Sequence, residues 1–299
     1  MAKDKSRLVI LGDLMLDVWL DYQFVKVSPE TGAPVVRLIS RKVSPGGAAN
    51  SSRIAALLWE EMPILIGALS KDEIGKELSK LIADSNVRGY FFDQAEGLTT
   101  SKSRLSIGNQ QICRIDSDAA KEIDFETENK VISTLNEIPD IGVILLSDYN
   151  KGFLTPRLIR LVLDFATERG IAVVADPANG RLSLFQGVTV LKPNSVAFDN
   201  YLLTENLEAN PFECEFLIVT RGDQGVDLIK SKETKNFRAK QVEGPIDVTG
   251  AGDAFAVALA YKLAKSAEIE DSIEFAIKLS ALQVTSLMNE CLDPKLIKE

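Results

Sequence analysis

Asp247-Val248-Thr249-Gly250-Ala251-Gly252-Asp253 ends where an apolar run of helical length, residues 254–264, begins. Small residues at 250–252 let the backbone approach a ligand closely. At a helix start their amides sit among orphan N–H groups at the positive dipole end, which attracts anions. Asp253 falls in the first helical turn, where a carboxylate can take a proton from an attacking hydroxyl. Phosphoryl transfer needs such donors, because charge spreads over the equatorial oxygens of the group in flight. Helix capping by an aspartate after a glycine-rich turn accounts for the end of the string but not for its length. The string is not a Walker A loop, since G-x-x-x-x-G-K-[ST] is absent from the chain.

Outward from this string, short apolar runs alternate with helical patterns. Residues 8–11, 64–66, 143–146, 172–175, 188–191 and 217–219 are continuous and β-rich, as buried parallel strands are. Residues 75–85 and 156–169 read as helices, the second closed by Gly170. The alternation predicts an α/β fold with a doubly wound, mostly parallel sheet, whose ligands bind beyond the carboxyl ends of the strands. Two stretches, about 18–43 and about 88–116, read instead as antiparallel strands. The second contains Gly108-Asn109, a good two-residue hairpin turn. They are expected to form a small β lid inserted into one domain spanning residues 1–299.

The chain has 299 residues, 45% hydrophobic and 26% charged, an ordinary globular balance. Its net charge of -9 argues against binding along a nucleic-acid backbone, though not against a small anionic substrate. No apolar run reaches the ~18 residues of a membrane span, and residues 1–5 lead into a strand without a signal-like stretch. A cytoplasmic protein is expected. Cys113, Cys214 and Cys291 are odd in number and widely spaced, as reduced thiols are. Histidine is absent, which removes Ser-His-Asp and Cys-His chemistry and His-ligated metals. Acid–base work falls to carboxylates, Lys, Tyr or Cys.

Three further stretches follow strands. Ser44-Pro45-Gly46-Gly47-Ala48-Ala49-Asn50 opens a helix over 48–59, its glycine pair permitting close approach to a polar small molecule. Thr220-Arg221-Gly222-Asp223-Gln224-Gly225 follows the strand at 217–219 and is either a simple turn or a frame for a nucleotide. Leu191-Lys192-Pro193-Asn194 opens a helix with Asn194 as its cap.

The four stretches occur in the order typical of the ribokinase-like (PfkB) carbohydrate kinases, which the chain resembles from about residue 7 to about residue 288. Within that family it looks most similar to the D-glycero-D-manno-heptose 7-phosphate kinases. Gly12-Asp13-Leu14-Met15-Leu16-Asp17, Ser28-Pro29-Glu30-Thr31-Gly32-Ala33-Pro34-Val35-Val36, Lys102-Ser103-Arg104, the lid stretch 109–116 and Ser147-Asp148-Tyr149-Asn150-Lys151-Gly152 carry that resemblance. It implies a ribokinase-like fold, ATP and Mg²⁺, and a sugar phosphate as acceptor. Asp253 becomes the catalytic base and the amides of Gly250, Ala251 and Gly252 the anion hole. Asp13, Gly46, Gly47 and Asn50 would hold sugar hydroxyls, with Asp17 a weaker candidate. Asp148 belongs to the same substrate side. Arg104, Arg114 and Lys151 are candidates for the phosphate already on the sugar, which a guanidinium can grip bidentately. Asn194, Thr220, Gly222, Gly225, Asp247 and Thr249 would frame the nucleotide.

The pattern also departs from the family. Asn194-Ser195-Val196-Ala197 lacks the glutamate of N-x-x-E, and Asp199 sits about 200° around the helix from residue 197, a poor substitute. Asp176-Pro177-Ala178 lacks the lysine of D-P-K, and residues 287–299 lack a Gly-Thr-rich close. Three consequences are open: activity with magnesium held mainly by ATP and water, slower turnover or a different donor, or sugar-phosphate binding without turnover. Three readings stay open: a heptose-phosphate kinase, a kinase for another sugar or a nucleoside, and a non-catalytic sugar-phosphate binder. The lid residues Val35, Val36, Leu38 and Ile39 suit either pairing with a second copy or packing on their own domain. The chain ends near where a kinase module would, so no fused nucleotidyltransferase is expected.

Overall fold

The computed structural model describes residues 7–94, 97–108, 110–118, 121–205, 212–230, 233–243 and 247–286. Residues 1–5, Asn109, Cys291 and the stretch 287–299, each read above, lie outside the described residues. In chain order the elements are β1 (Arg7–Gly12), β2 (Leu14–Val27), β3 (Pro34–Gly47), α1 (Ala48–Leu58), β4 (Ile64–Leu69), α2 (Glu73–Ala83), β5 (Arg88–Asp93), β6 (Thr100–Ile107), β7 (Gln110–Ser117) and α3 (Phe125–Glu137). They continue with β8 (Ile141–Ser147), α4 (Pro156–Arg169), β9 (Ala172–Asp176), β10 (Val190–Leu191), α5 (Ser195–Glu205), β11 (Phe216–Thr220), β12 (Val226–Lys230), β13 (Glu233–Phe237), α6 (Ala251–Ala264) and α7 (Ile269–Val284).

The apolar runs lie side by side in the order β13-β12-β11-β10-β9-β8-β1-β4-β5. Neighbours from β11 to β5 are parallel, and β12 and β13 close the edge antiparallel. Alternate strand residues feed two cores, which is why these strands read as continuous apolar runs. Leu8, Ile10, Leu65, Val143 and Leu145 pack with α1, α2, α6 and α7. Val9, Leu11, Ile66, Ile144 and Leu146 pack with α3, α4 and α5. Local signals set the helix ends. Thr155 caps α4 by accepting from Leu158 N at 3.0 Å, Pro156 follows it, and Gly170 ends the helix at φ 61°. The helix read at 75–85 begins two residues earlier, at Glu73, because Asp72 accepts from Gly75 N at 2.7 Å.

The chain steps outward from β1 to β4 and β5 on one side, and later from β8 to β9, β10 and β11 on the other. The order therefore reverses between β1 and β8, and a crevice at their carboxyl ends is the expected ligand site. Gly12 is required there: a Cβ on it would stand 2.2 Å from Ser147 O.

A second sheet, β3-β2-β6-β7, rises from this end. Ile107 pairs with Gln110 across the hairpin turn. The second lid stretch is shorter than expected. Residues 88–93 are β5, paired parallel to β4 on the main sheet, so the lid portion begins at Thr100. No helix among the described residues is long and apolar enough to cross a membrane.

Candidate active site

Gly250, at φ 76°, turns the chain into α6 and places Asp253 in the first helical turn. Asp253 is 4% exposed. Asn50 Nδ2 donates to its Oδ2 at 2.7 Å, and Tyr149 Oη donates to its Oδ1 at 2.7 Å. Burial pushes its carboxyl up to about 6, opposed by these two donors and by Lys192, and aided by Asp176. Each oxygen takes one donor and keeps a lone pair for a substrate proton. Burial and the adjacent carboxylate also push the Tyr149 phenol well above its ordinary value, so it remains a neutral donor.

Lys192, 2% exposed, follows β10 and lies 2.9 Å from Asp176 Oδ1 at the end of β9. A Cβ on Gly252 would stand 3.8 Å from Lys192 Nζ and 4.0 Å from Asp176 Oδ2. A buried ammonium, paired with Asp176, thus lies near the amide end of α6. Ala251, expected in the anion hole, instead closes the turn, because its N–H donates to Val248 O at 3.2 Å. The orphan amides at this helix start then include those of Gly252 and Asp253.

The two carboxylates after β1 meet different partners. Asp13, expected to hold a sugar hydroxyl, is 2% exposed and accepts from Tyr149 N at 2.8 Å, Lys151 N at 3.0 Å and Phe153 N at 3.0 Å. It ties the loop after β8 to β1. Burial pushes its carboxyl up against these three donors. Asp17, the weaker candidate, is buried beside the lid. Its Oδ1 meets Arg104 Nη1 at 2.6 Å. A Cβ on Gly46 would lie 2.4 Å from its Oδ2, so that glycine makes room for the carboxylate. Asn50, also expected to touch sugar, directs its amide nitrogen at Asp253 instead. Gly47 is the N-cap of α1 at φ 59°, with a Cβ position 2.6 Å from Asp13 O.

Asp148, expected on the substrate side, is buried and serves the loops. It accepts from Asn150 N at 2.9 Å, Arg181 Nε at 2.8 Å and, more weakly, Ala178 N at 3.4 Å. Lys151 Nζ reaches Asp118 Oδ2 at 2.7 Å, linking the β8 loop to the end of β7. Arg114 is half exposed and forms a bidentate pair with Asp116 at 2.8 Å.

Register places Asp17 beside Lys102, Trp19 beside Arg104, and Arg104 beside Arg114. Directly opposed residues share a sheet face, so one lid face carries Asp17, Lys102, Arg104 and Arg114 together. Lys102 Nζ lies 5.2 Å above the Tyr149 ring, and the Arg104 guanidinium lies 5.1 Å above Trp19. This face therefore looks onto Tyr149 and Asp253.

The residues expected to frame a nucleotide line the same carboxyl edge. Asn194 Oδ1 accepts from Ala197 N at 2.8 Å, and Asn194 bridges Thr220. Gly222 and Gly225 shape the turn after β11; a Cβ on Gly225 would meet Phe237 O at 2.1 Å. Asp247 Oδ1 accepts from Thr249 N at 3.0 Å in the turn before α6. Ala197 is fully buried in the core, and Asp199 pairs with Arg221 at 3.5 Å. Among the described residues, no group of three or more His, Cys, Asp or Glu is placed to hold a metal ion. The first turn of α6 and Lys192 offer donors of the kind a phosphate takes, so magnesium would come in on the nucleotide's own oxygens.

The sequence matches the family described as pfkB family carbohydrate kinase over residues 5–289. The chain belongs to this family. It is a carbohydrate kinase, a phosphotransferase with an alcohol group as acceptor. The bifunctional protein HldE of Hyphomonas neptunium is 33% identical over 294 residues, covering 93% of this chain and 60% of that protein. HldE of Campylobacter jejuni (strain RM1221) is 32% identical over 302 residues, covering 96% and 63%. The chain thus spans under two thirds of the length of these relatives. Phosphofructokinase-2 from Escherichia coli, in complex with substrates and products, superposes with a TM-score of 0.78 at 19% identity, over 98% of this chain and 97% of that one. Arabidopsis thaliana ribokinase, complexed with ribose and ATP, gives 0.70 at 17%, over 98% and 97%. The fold is ribokinase-like, with a large mostly parallel sheet and a smaller one.

In this pfkB kinase, sequence reasoning missed several residues around Asp253, Tyr149 and Lys192 among them. Tyr149 lies inside the quoted string 147–152, where nothing local distinguishes it from its neighbours. Lys192 follows an apolar strand directly, and a lysine there signals a cation held at the sheet's carboxyl edge.

Proposed function

We infer that this protein transfers the γ-phosphoryl group of ATP to the anomeric hydroxyl of D-glycero-D-manno-heptose 7-phosphate. The observation that carries the transfer is Asp253, buried at the start of α6 with one donor on each oxygen. With its carboxyl pushed up to about 6, it is ionised in part at neutral pH and is still a stronger proton acceptor than a free aspartate. It takes the hydroxyl proton as the sugar oxygen bonds to phosphorus and the bond to the leaving ADP oxygen breaks. Gly252 N–H and Lys192 Nζ, close together at the start of α6, would stabilise the charge of the transferred group. Magnesium, when bound with ATP, neutralises phosphate charge; its ligands would be phosphate and water oxygens.

The acceptor's own phosphate is assigned to the lid face, where Lys102, Arg104 and Arg114 converge near Asp17. The relatives named HldE, at 32–33% identity, support a heptose phosphate as the acceptor. On this reading residues 1–299 act as one kinase unit in the cytoplasm, two copies joining through exposed lid residues such as Leu38 and Ile39.

The test is incubation with ATP, magnesium and heptose 7-phosphate, with ADP and the sugar bisphosphate as readouts. Fructose 6-phosphate, ribose and a nucleoside serve as competing acceptors. Turnover of one of these in preference to the heptose phosphate would overturn the acceptor. Tight sugar-phosphate binding with no turnover of any acceptor would overturn the kinase.

A further inference from the structure

Asp253 takes one donor from Asn50, and that amide has a neighbour of its own. Arg53 stands three residues on in α1, where side chains share a helix face. Arg53 Nη2 donates to Asn50 Oδ1 at 2.8 Å, while Asn50 Nδ2 donates to Asp253 Oδ2 at 2.7 Å. Asn50 is fully buried and Arg53 is 8% exposed. The neighbours Ala48, Ala49, Ile54 and Ala55 all belong to the core, where a cation is rare without a specific role.

The two ends of an amide are nearly equal in size and opposite in hydrogen-bonding sense. Beside a carboxylate a buried amide therefore has two settings: one donates, the other sets oxygen against oxygen. A guanidinium carries donors only and stays charged. With Arg53 on Oδ1, turning the amide would bring Nδ2 against the guanidinium and Oδ1 against Asp253. Two attractive contacts would become repulsive at once.

We propose that Arg53 is a positioning residue for phosphoryl transfer: it holds the Asn50 amide in the setting that donates to Asp253 and so aims the catalytic carboxylate. This rests on Asp253 being the base inferred above. Tyr149 from the β8 end, Asp176 from the β9 end and Lys192 from the β10 end also act on Asp253, while Asp17 acts on Tyr149 and Asp247 on Asp17. Arg53 differs from them in acting through a neutral group that can turn.

The experiment compares Arg53→Met and Arg53→Lys with wild type, alone and in an Asn50→Ala background. Turnover is measured with heptose 7-phosphate. Asp253 titration is followed by ¹³C NMR of labelled aspartate, its signal identified by loss in Asp253→Asn. Arg53→Met is expected to lower kcat by about tenfold with both KM values within about twofold, since the loss falls on the transfer step. The Asp253 midpoint should rise above its starting value near 6. Arg53→Lys, which keeps a cationic donor, should restore both. In the Asn50→Ala background Arg53→Met should have no further effect, because its path is gone.

Unchanged kcat and midpoint in Arg53→Met overturn the proposal. So does an undiminished effect in the Asn50→Ala background, which would mean direct action of charge. If Arg53→Met does not fold, Arg53→Gln takes its place under the same criteria: lowered kcat with a raised midpoint supports the proposal, and wild-type kcat and midpoint overturn it. The midpoint needs no substrate. Failure to turn over any sugar phosphate would sink the function while leaving the Arg53 assignment to be decided by NMR.

Discussion

Replacing Asp253 by Asn tests the site through two independent quantities. The side chain keeps its shape. Its amide oxygen can accept from Asn50 Nδ2, and its amide nitrogen can donate to Tyr149 Oη, because a phenol both donates and accepts. What disappears is the proton acceptor, so kcat should fall by about 10²- to 10⁴-fold. Stability should move the other way. The folded carboxyl titrates at about 6 against 3.8 for the unfolded chain. The folded state thus binds the proton more tightly, and wild-type stability falls as pH rises from about 4 to about 6. Above that window the cost of the buried charge is fully present. A shift of about 2 units is worth ~3 kcal/mol as an upper figure. For 299 residues the unfolding entropy is ~0.6 kcal/mol/K, so Asp253→Asn should gain up to ~5 °C in Tm at pH 8. At pH 4 the gain should be near zero. The assays are kcat/KM across pH, expected to rise through about 6 in wild type, and scanning calorimetry of both proteins at both pH values. A variant within about tenfold of wild-type kcat would refute Asp253 as the base. A Tm difference independent of pH would refute the buried-charge argument.

Lys192→Met keeps the volume and removes the ammonium beside the α6 amides. It should lower kcat by about 10²-fold or more, and a kcat within about threefold would remove Lys192 from the transfer step. Arg104→Gln should raise KM for the sugar phosphate by about 10- to 100-fold while leaving KM for ATP unchanged. An equal rise for an unphosphorylated sugar would show that Arg104 does not read the phosphate. Val36→Glu with Leu38→Glu should convert dimers to monomers in sedimentation equilibrium. A wild-type protein that is monomeric at tens of micromolar would refute pairing through the lid.

The parallel order of the sheet was legible in the chain because strands buried on both faces need apolar residues throughout. Arg88–Asp93 was misplaced into the lid for the same reason in reverse. It reads as a polar-bounded edge segment, and only pairing with β4 shows which sheet takes it. Within the site, Asp13 and Asp17 stand four residues apart and look alike in sequence. They separate because one meets the amides of the β8 loop and the other meets Arg104 and the space left by Gly46.

The order of residues along the chain was enough to locate the start of α6 and the aspartate in its first turn. A glycine-rich turn, a first-turn carboxylate and an apolar helix are consecutive, and their physics is local. What that aspartate can do depends on packing between distant segments. Its donors come from Asn50 and Tyr149, 203 and 104 residues away in the chain. Lys192 and Asp176 complete its surroundings from two other strand ends. A proton affinity is set by burial and by neighbours in space, and no spacing along the chain records either.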